Sequence, residues 1–282
     1  MRAPIKLAAY GLGLVLVFGV AAGAGRVLGP EQPAPAGHAM EHEVTQVEHL
    51  PGGLQIAQDG YRLDPVTVVL PVGAKAPYAF RILGPDGEAV TSYTPEHDKE
   101  LHLIVVRRDL SGFQHLHPAR AADGVWSLPL SVAAAGQYRV LADFRPAALD
   151  EGITLGVDVP AAGAYQPEEL PPPTRTAEVD GYTVTLAGDL EPGRSSGLSL
   201  SVRKDGVPVT DLQPYLGAYG HLVALRAGDL AYLHVHPTSD TPGPDISFDA
   251  EVPSAGAYRL YLDFQHDGTV RTAEFTAVAG SE

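Results

Sequence analysis

Cysteine is absent from this chain of 282 residues. That excludes disulfide staples, thiolate metal ligands, thiol nucleophiles and a lipidated N-terminal cysteine. Positive charge is scarce: 19 Lys and Arg stand against 34 Asp and Glu, a formal net charge of −15. The bulk of the protein is therefore no partner for nucleic acid or anionic lipid. No phosphate-binding glycine loop, serine elbow or heptad pattern is present. Met occurs twice and Trp once, whereas Gly occurs 31 times and Pro 25 times. So much Gly and Pro argues against a helical bundle and for short strands joined by turns. With 45% hydrophobic residues the chain has enough apolar surface for about two packed domains.

Arg2 and Lys6 precede an uncharged stretch, Leu7–Gly25, that ends at Arg26. As a helix it would reach roughly 28 Å, close to one bilayer core. Basic residues before it place the N-terminus in the cytoplasm. Residues 1–26 thus read as a single-pass membrane anchor, with Gly19 and Gly23 at the spacing of a helix-packing pair. Ala22-Gly23-Ala24 also offers the small-x-small site of a signal peptide. Either way the chain after Arg26 is expected outside the cytoplasmic membrane. Residues 27–50, with Pro30, Pro33, Pro35 and Gly37, read as a tether. It carries His38, Met40, His42 and His49, either a polar linker or a metal-capturing arm, since imidazole suits Cu(II) or Zn(II) and thioether suits Cu(I).

From about Leu54 short apolar alternations are separated by turn signals such as Pro85-Asp86-Gly87 and Ala122-Asp123-Gly124, the spacing of a β-sandwich. A Pro-rich stretch at 165–176, containing Pro171-Pro172-Pro173, reads as an inter-domain linker. Beyond it the pattern recurs. Asp59-Gly60-Tyr61 returns as Asp180-Gly181-Tyr182, and Gly136, Tyr138, Arg139, Asp143 and Phe144 return as Gly256, Tyr258, Arg259, Asp263 and Phe264. Residues 102–118 align without gaps on 221–237, and the shared positions include three histidines and the proline that follows them. The expected fold is all-β, two tandem immunoglobulin-like β-sandwich domains at 51–164 and 177–282, after an N-terminal transmembrane helix.

In each copy a histidine is followed 13 positions later by His-x-His: His102 with His115 and His117, and His221 with His234 and His236. Alternate residues of a strand share a face, and a hairpin through Asp109–Gly112 would bring His102 beside His115 and His117. Three imidazoles on one face form an open nitrogen site suited to Zn(II) or Cu(II). The alternative is packed histidines, bonded to backbone carbonyls, that fix the hairpin. His97 is either a ligand private to the first copy or a polar loop residue. Asp143 and Asp263 share a strand face with Arg139 and Arg259. They either form same-face ion pairs or orient ligand imidazoles from behind. Tyr215, Tyr219 and Tyr232 beside the second trio read as core-capping aromatics.

The runs Leu101–Pro118 and Tyr215–Pro237 resemble segments of poorly characterised bacterial secreted or membrane-anchored proteins, common in high-GC Gram-positive bacteria. That resemblance implies tandem immunoglobulin-like domains and an association with heavy-metal, especially copper, handling, with the six histidines as ligands. The chain lacks the cysteine-bearing metal modules found with some such domains. Three functions follow as expectations. The first is a non-enzymatic, membrane-anchored Cu- or Zn-binding protein that exchanges its ion with a transporter or other envelope protein. The second is a structural or interaction module of the cell envelope. The third is a His-ligated metalloenzyme, although no carboxylate keeps a fixed short spacing from both trios as a general base would.

Overall fold

Apolar alternation and two-residue turns lay out the strands. Asp59-Gly60, Asp180-Gly181, Asp205-Gly206 and Asp267-Gly268 all have positive φ at both residues, the geometry of a tight hairpin turn. Each joins antiparallel neighbours, as in the pairing of Gln58 with Tyr61 and of His266 with Thr269. The computed structural model describes residues 50–280 except His234. The expected anchor, the tether histidines and His234 lie outside the described residues. Among the described residues no helix is long and apolar enough to cross a membrane.

The protein consists of two tandem immunoglobulin-like β-sandwiches. In the first, one sheet runs Ala57–Gln58, Tyr61–Pro65, Ala76–Leu83, Trp126–Leu130, Ala119–Arg120. The facing sheet runs Ile153–Ala161, Gly136–Pro146, Leu101–Arg107, Gln114–Leu116. The second repeat has the same plan, and its inner sheet runs Thr269–Ala279, Gly256–His266, His221–Arg226, Tyr232–Leu233. In both repeats a tyrosine early in a long strand turns back on the chain. Tyr138 donates to the Ala134 carbonyl at 2.8 Å and Tyr258 to the Ser254 carbonyl at 2.7 Å. That is the corner that closes many sandwiches of this class.

The strand Leu101–Arg107 is buried along its whole length. Leu101, Leu103 and Val105 enter the core of their own repeat. Ile104 and Val106 point the other way, into a third apolar cluster with Leu110 and Leu141, where they meet Val223, Leu225, Leu230 and Tyr261 of the second repeat. The two repeats therefore pack face to face, and equivalent positions from both supply the contact. The Phe113 and Tyr261 rings stack at 3.9 Å, and the Tyr261 hydroxyl donates to the Leu110 carbonyl at 2.6 Å. The Pro-rich linker is held to this seam. Glu168 pairs with Arg107 at 2.8 Å, its backbone N–H donates to Asp109, and Leu170 packs on the shared cluster.

The gapless correspondence between repeats slips by one within the turn. Leu110 and Leu230 occupy the same place, both buried and with φ of 68° and 64°. Asp109 and Asp229 likewise each receive an arginine, Arg107 and Arg226. Gly228 lengthens the second turn before its aspartate, and Ser111-Gly112 lengthens the first turn after its leucine.

Tyr261→Ala removes the ring stack and the buried hydroxyl bond together. The expected cost is about 3–5 kcal/mol. Calorimetry of the full chain should show one transition for both repeats, displaced downward by roughly 10 °C. Two transitions in the wild-type protein would contradict the shared core.

Candidate metal centre

His102 lies on the face of Leu101–Arg107 that looks toward the second repeat, at the end of the apolar seam. The hairpin pairs Ile104 with His115 and Leu103 with Leu116, which carries His115 and then His117 alongside His102. His102 Nδ1 stands 3.1 Å from His115 Nε2 and 3.1 Å from His117 Nε2. One ligand nitrogen from each ring lies within 4.8 Å of the others. A tetrahedral ion with bonds of about 2.0–2.1 Å needs its nitrogens roughly 3.4 Å apart, so a small outward movement admits it.

The outer nitrogens decide where the lone pairs point. His102 Nε2 lies 3.0 Å from the Glu96 carbonyl, which only accepts, so that nitrogen carries the proton. His115 Nδ1 lies 2.8 Å from the Asp263 carboxylate and donates to it. With both rings neutral, His102 Nδ1 and His115 Nε2 turn lone pairs toward one another. Only His117 Nε2 remains to supply a hydrogen among the three, which leaves the His102–His115 contact without one. A cation satisfies all three at once. The arrangement of carboxylate, imidazole and inward lone pair is that of an oriented metal ligand.

Asp263 belongs to the second repeat. Its strand position faces His221, and its other oxygen takes the Thr272 hydroxyl at 2.6 Å. The two members of the His115–Asp263 pair are only 6% and 5% exposed. The same-face ion pairs expected for Asp143 and Asp263 are not formed. Four residues along one strand separate the groups by about 13 Å. Arg139 instead takes Asp158, opposite it on the neighbouring strand, at 3.1 Å, and Arg259 takes Glu274 at 2.5 Å.

Burial keeps His102 and His117 neutral. Desolvation pushes the His102 imidazole down to about 4, against a smaller upward pull from the Glu96 carbonyl, and neighbouring His115, His97 and Lys99 add to the fall. His117 is pushed down to about 2 by desolvation and by His115 and His102. Neutral imidazole is the form that ligates a metal.

The two described members of the second trio are arranged differently. His221 is buried, and its Nε2 is 2.6 Å from the Tyr215 carbonyl, the counterpart of the His102–Glu96 contact. Desolvation pushes it down to about 4. His236 is exposed on Val235–Pro237, which pairs with Asp245–Val252 in the other sheet. The second repeat leaves its inner sheet after Leu233, whereas the first stays in register to Leu116. His234 lies outside the described residues. A cleft of about 90 Å³ nonetheless joins His102, His115, His221, His236, His97 and Asp143. Tyr215 stands edge-on to both His117 and His221, Tyr219 packs on the second core and Tyr232 on the shared seam.

Sequence reasoning missed that the two repeats share one cleft and that Asp263 reaches across to His115. A signal was present. Leu101–Arg107 has no polar alternation, as expected of a strand covered on both faces.

The family described as "Domain of unknown function (DUF8832)" matches residues 56–166 and again residues 177–280. No curated protein matches the chain. Among solved structures, the Yersinia pseudotuberculosis adhesin InvE is 10% identical over 79% of this chain and 60% of that one, with a TM-score of 0.24. Domains 4 and 5 of the S-layer protein SbsC are 9% identical over 80% of this chain and 100% of that one, with a TM-score of 0.24. Escherichia coli alpha-2-macroglobulin is 13% identical over 78% and 20%, with a TM-score of 0.25. The chain spans about three-fifths of the InvE chain.

A pH dependence follows for the metal-free protein. His102 and His221 have folded values of about 4. Unfolded histidine titrates near about 6.5, so the unfolded state binds protons first as pH falls. Stability should be full above about 6.5 and fall progressively toward pH about 4. Urea unfolding in the presence of a chelator across that range measures it, and a flat profile would contradict burial of neutral rings.

Proposed function

This chain belongs to the DUF8832 family, whose description assigns no activity, and we propose from its side chains that it is a non-enzymatic metal-binding protein. The ion is Cu(II) or Zn(II), held by His102, His115 and His117. The single observation that carries this is the convergence of three imidazole nitrogens, His102 Nδ1 at 3.1 Å from both His115 Nε2 and His117 Nε2, with the outer nitrogens of His102 and His115 taken by the Glu96 carbonyl and the Asp263 carboxylate. Three imidazole donors in a chain without thiolates favour these borderline cations over Cu(I). The carboxylate nearest the trio already bonds His115 and Thr272, which suits it to orienting a ligand rather than to taking substrate protons. The uncharged stretch Leu7–Gly25 behind Arg2 and Lys6 supports a membrane anchor with the sandwiches outside the cytoplasm. A transporter or other envelope protein at that surface is the partner for exchange of the ion.

The second reading is an envelope interaction module whose histidines only brace the seam. The buried His115–Asp263 pair across the repeats favours it. The two readings differ in what added metal does. On the first, the full chain retains at least one Zn or Cu after dialysis, His102→Ala and His117→Ala each retain about one fewer, and filling of that site raises the melting temperature of wild type alone. Asp263→Asn should keep the ligands but weaken affinity about 10–100-fold. Equal metal content and equal melting shifts in wild type and His117→Ala would leave only the bracing role.

A further inference from the structure

Two imidazoles on one tetrahedral ion have ring centres roughly 5.2 Å apart, given metal–nitrogen bonds of about 2.0–2.1 Å. The first trio meets that figure, with centres at 5.3, 5.0 and 4.8 Å. His221 does not join it, because its ring lies 6.4 Å from His102 and 6.1 Å from His115. It lies instead 5.1 Å from the ring of His97, which is itself 6.1 Å from His102. The distances therefore sort the histidines into two groups within one cleft.

His221 is prepared in the same way as His102. The Tyr215 carbonyl takes the proton of Nε2, which leaves Nδ1 as a lone pair. His97 is exposed and sits in a two-residue turn, where it and Asp98 have φ of 48° and 61°. The Glu96–Lys99 bridge fixes that turn beside the mouth. His236 lines the same cleft from the second repeat. Asp143, the counterpart of Asp263, forms part of the wall and holds the Thr154 hydroxyl at 2.8 Å, as Asp263 holds that of Thr272.

We propose that the cleft holds a pair of borderline divalent cations, the second bound by His221 and His97 with His236 at its edge. This second station takes ligands from both repeats, so neither repeat forms it alone. It rests on the first station being a metal site. Adjacent ions in such pairs stand a few Å apart, close enough for their spins to couple.

Copper(II) titration of the full chain, read by elemental analysis and electron paramagnetic resonance, tests this. Wild type should bind about one ion more than His97→Ala and than His221→Ala. Its spectrum should show a half-field transition, or an integrated intensity well below the copper bound. Both variants should give a simple axial spectrum. His97 is exposed, so its variant keeps the test decisive if His221→Ala fails to fold. The pair is overturned if wild type and His97→Ala bind the same copper with the same uncoupled spectrum while His117→Ala loses an ion. If His117→Ala also binds as wild type does, the first station is overturned with it.

Discussion

The inner sheets of the two sandwiches each need a second cover, and each supplies it to the other. Ile104, Val106 and Leu141 on one side and Val223, Leu225 and Tyr261 on the other are too apolar to face water. Fully burying such side chains is worth about 1.5–3 kcal/mol each. This contact fixes where His102, His115, His221 and Asp263 stand relative to one another. His102 and His221 lie on the same strand faces as the seam residues, and Asp263 meets His115 only because the faces are closed.

Closing the seam removes water from imidazoles that would otherwise titrate near neutral pH. A buried polar ring must find partners, and here the partners are asymmetric in their effect. Main-chain carbonyls occupy the outer nitrogens of His102 and His221 and a carboxylate that of His115, which leaves the opposite nitrogen of each neutral ring as an acceptor. The surrounding acidity, 34 carboxylates against 19 basic groups, draws cations to the surface without choosing among them. In the proposed function, selection falls to the nitrogen cluster.

Much of the fold was legible because local rules were obeyed. Asp-Gly pairs mark two-residue turns, alternation marks strands and duplication marks the tandem plan. The hairpin that joins His102 to His115 and His117 followed from strand parity and a turn of the right length. Two features were not legible. The reach of Asp263 to His115 spans 148 positions of sequence and depends on which sheets face each other. No residue spacing encodes that. The second trio also looked equivalent to the first in sequence. Its described members differ because Val235–Pro237 pairs in the opposite sheet and carries His236 with it. A slip of that kind involves hydrogen-bond partners, which identity of side chains does not report.

The seam is built from equivalent positions of both repeats, the geometry by which two separate copies of one domain would associate around a two-fold axis. Here a stretch of about a dozen residues joins the copies, and Glu168 and Leu170 fasten it along the way. A short connection holds its ends at an effective concentration in the millimolar range. An association that dilution would otherwise dissolve thus becomes a property of the single molecule. The cleft is assembled whether the protein is abundant or present in a few copies per cell.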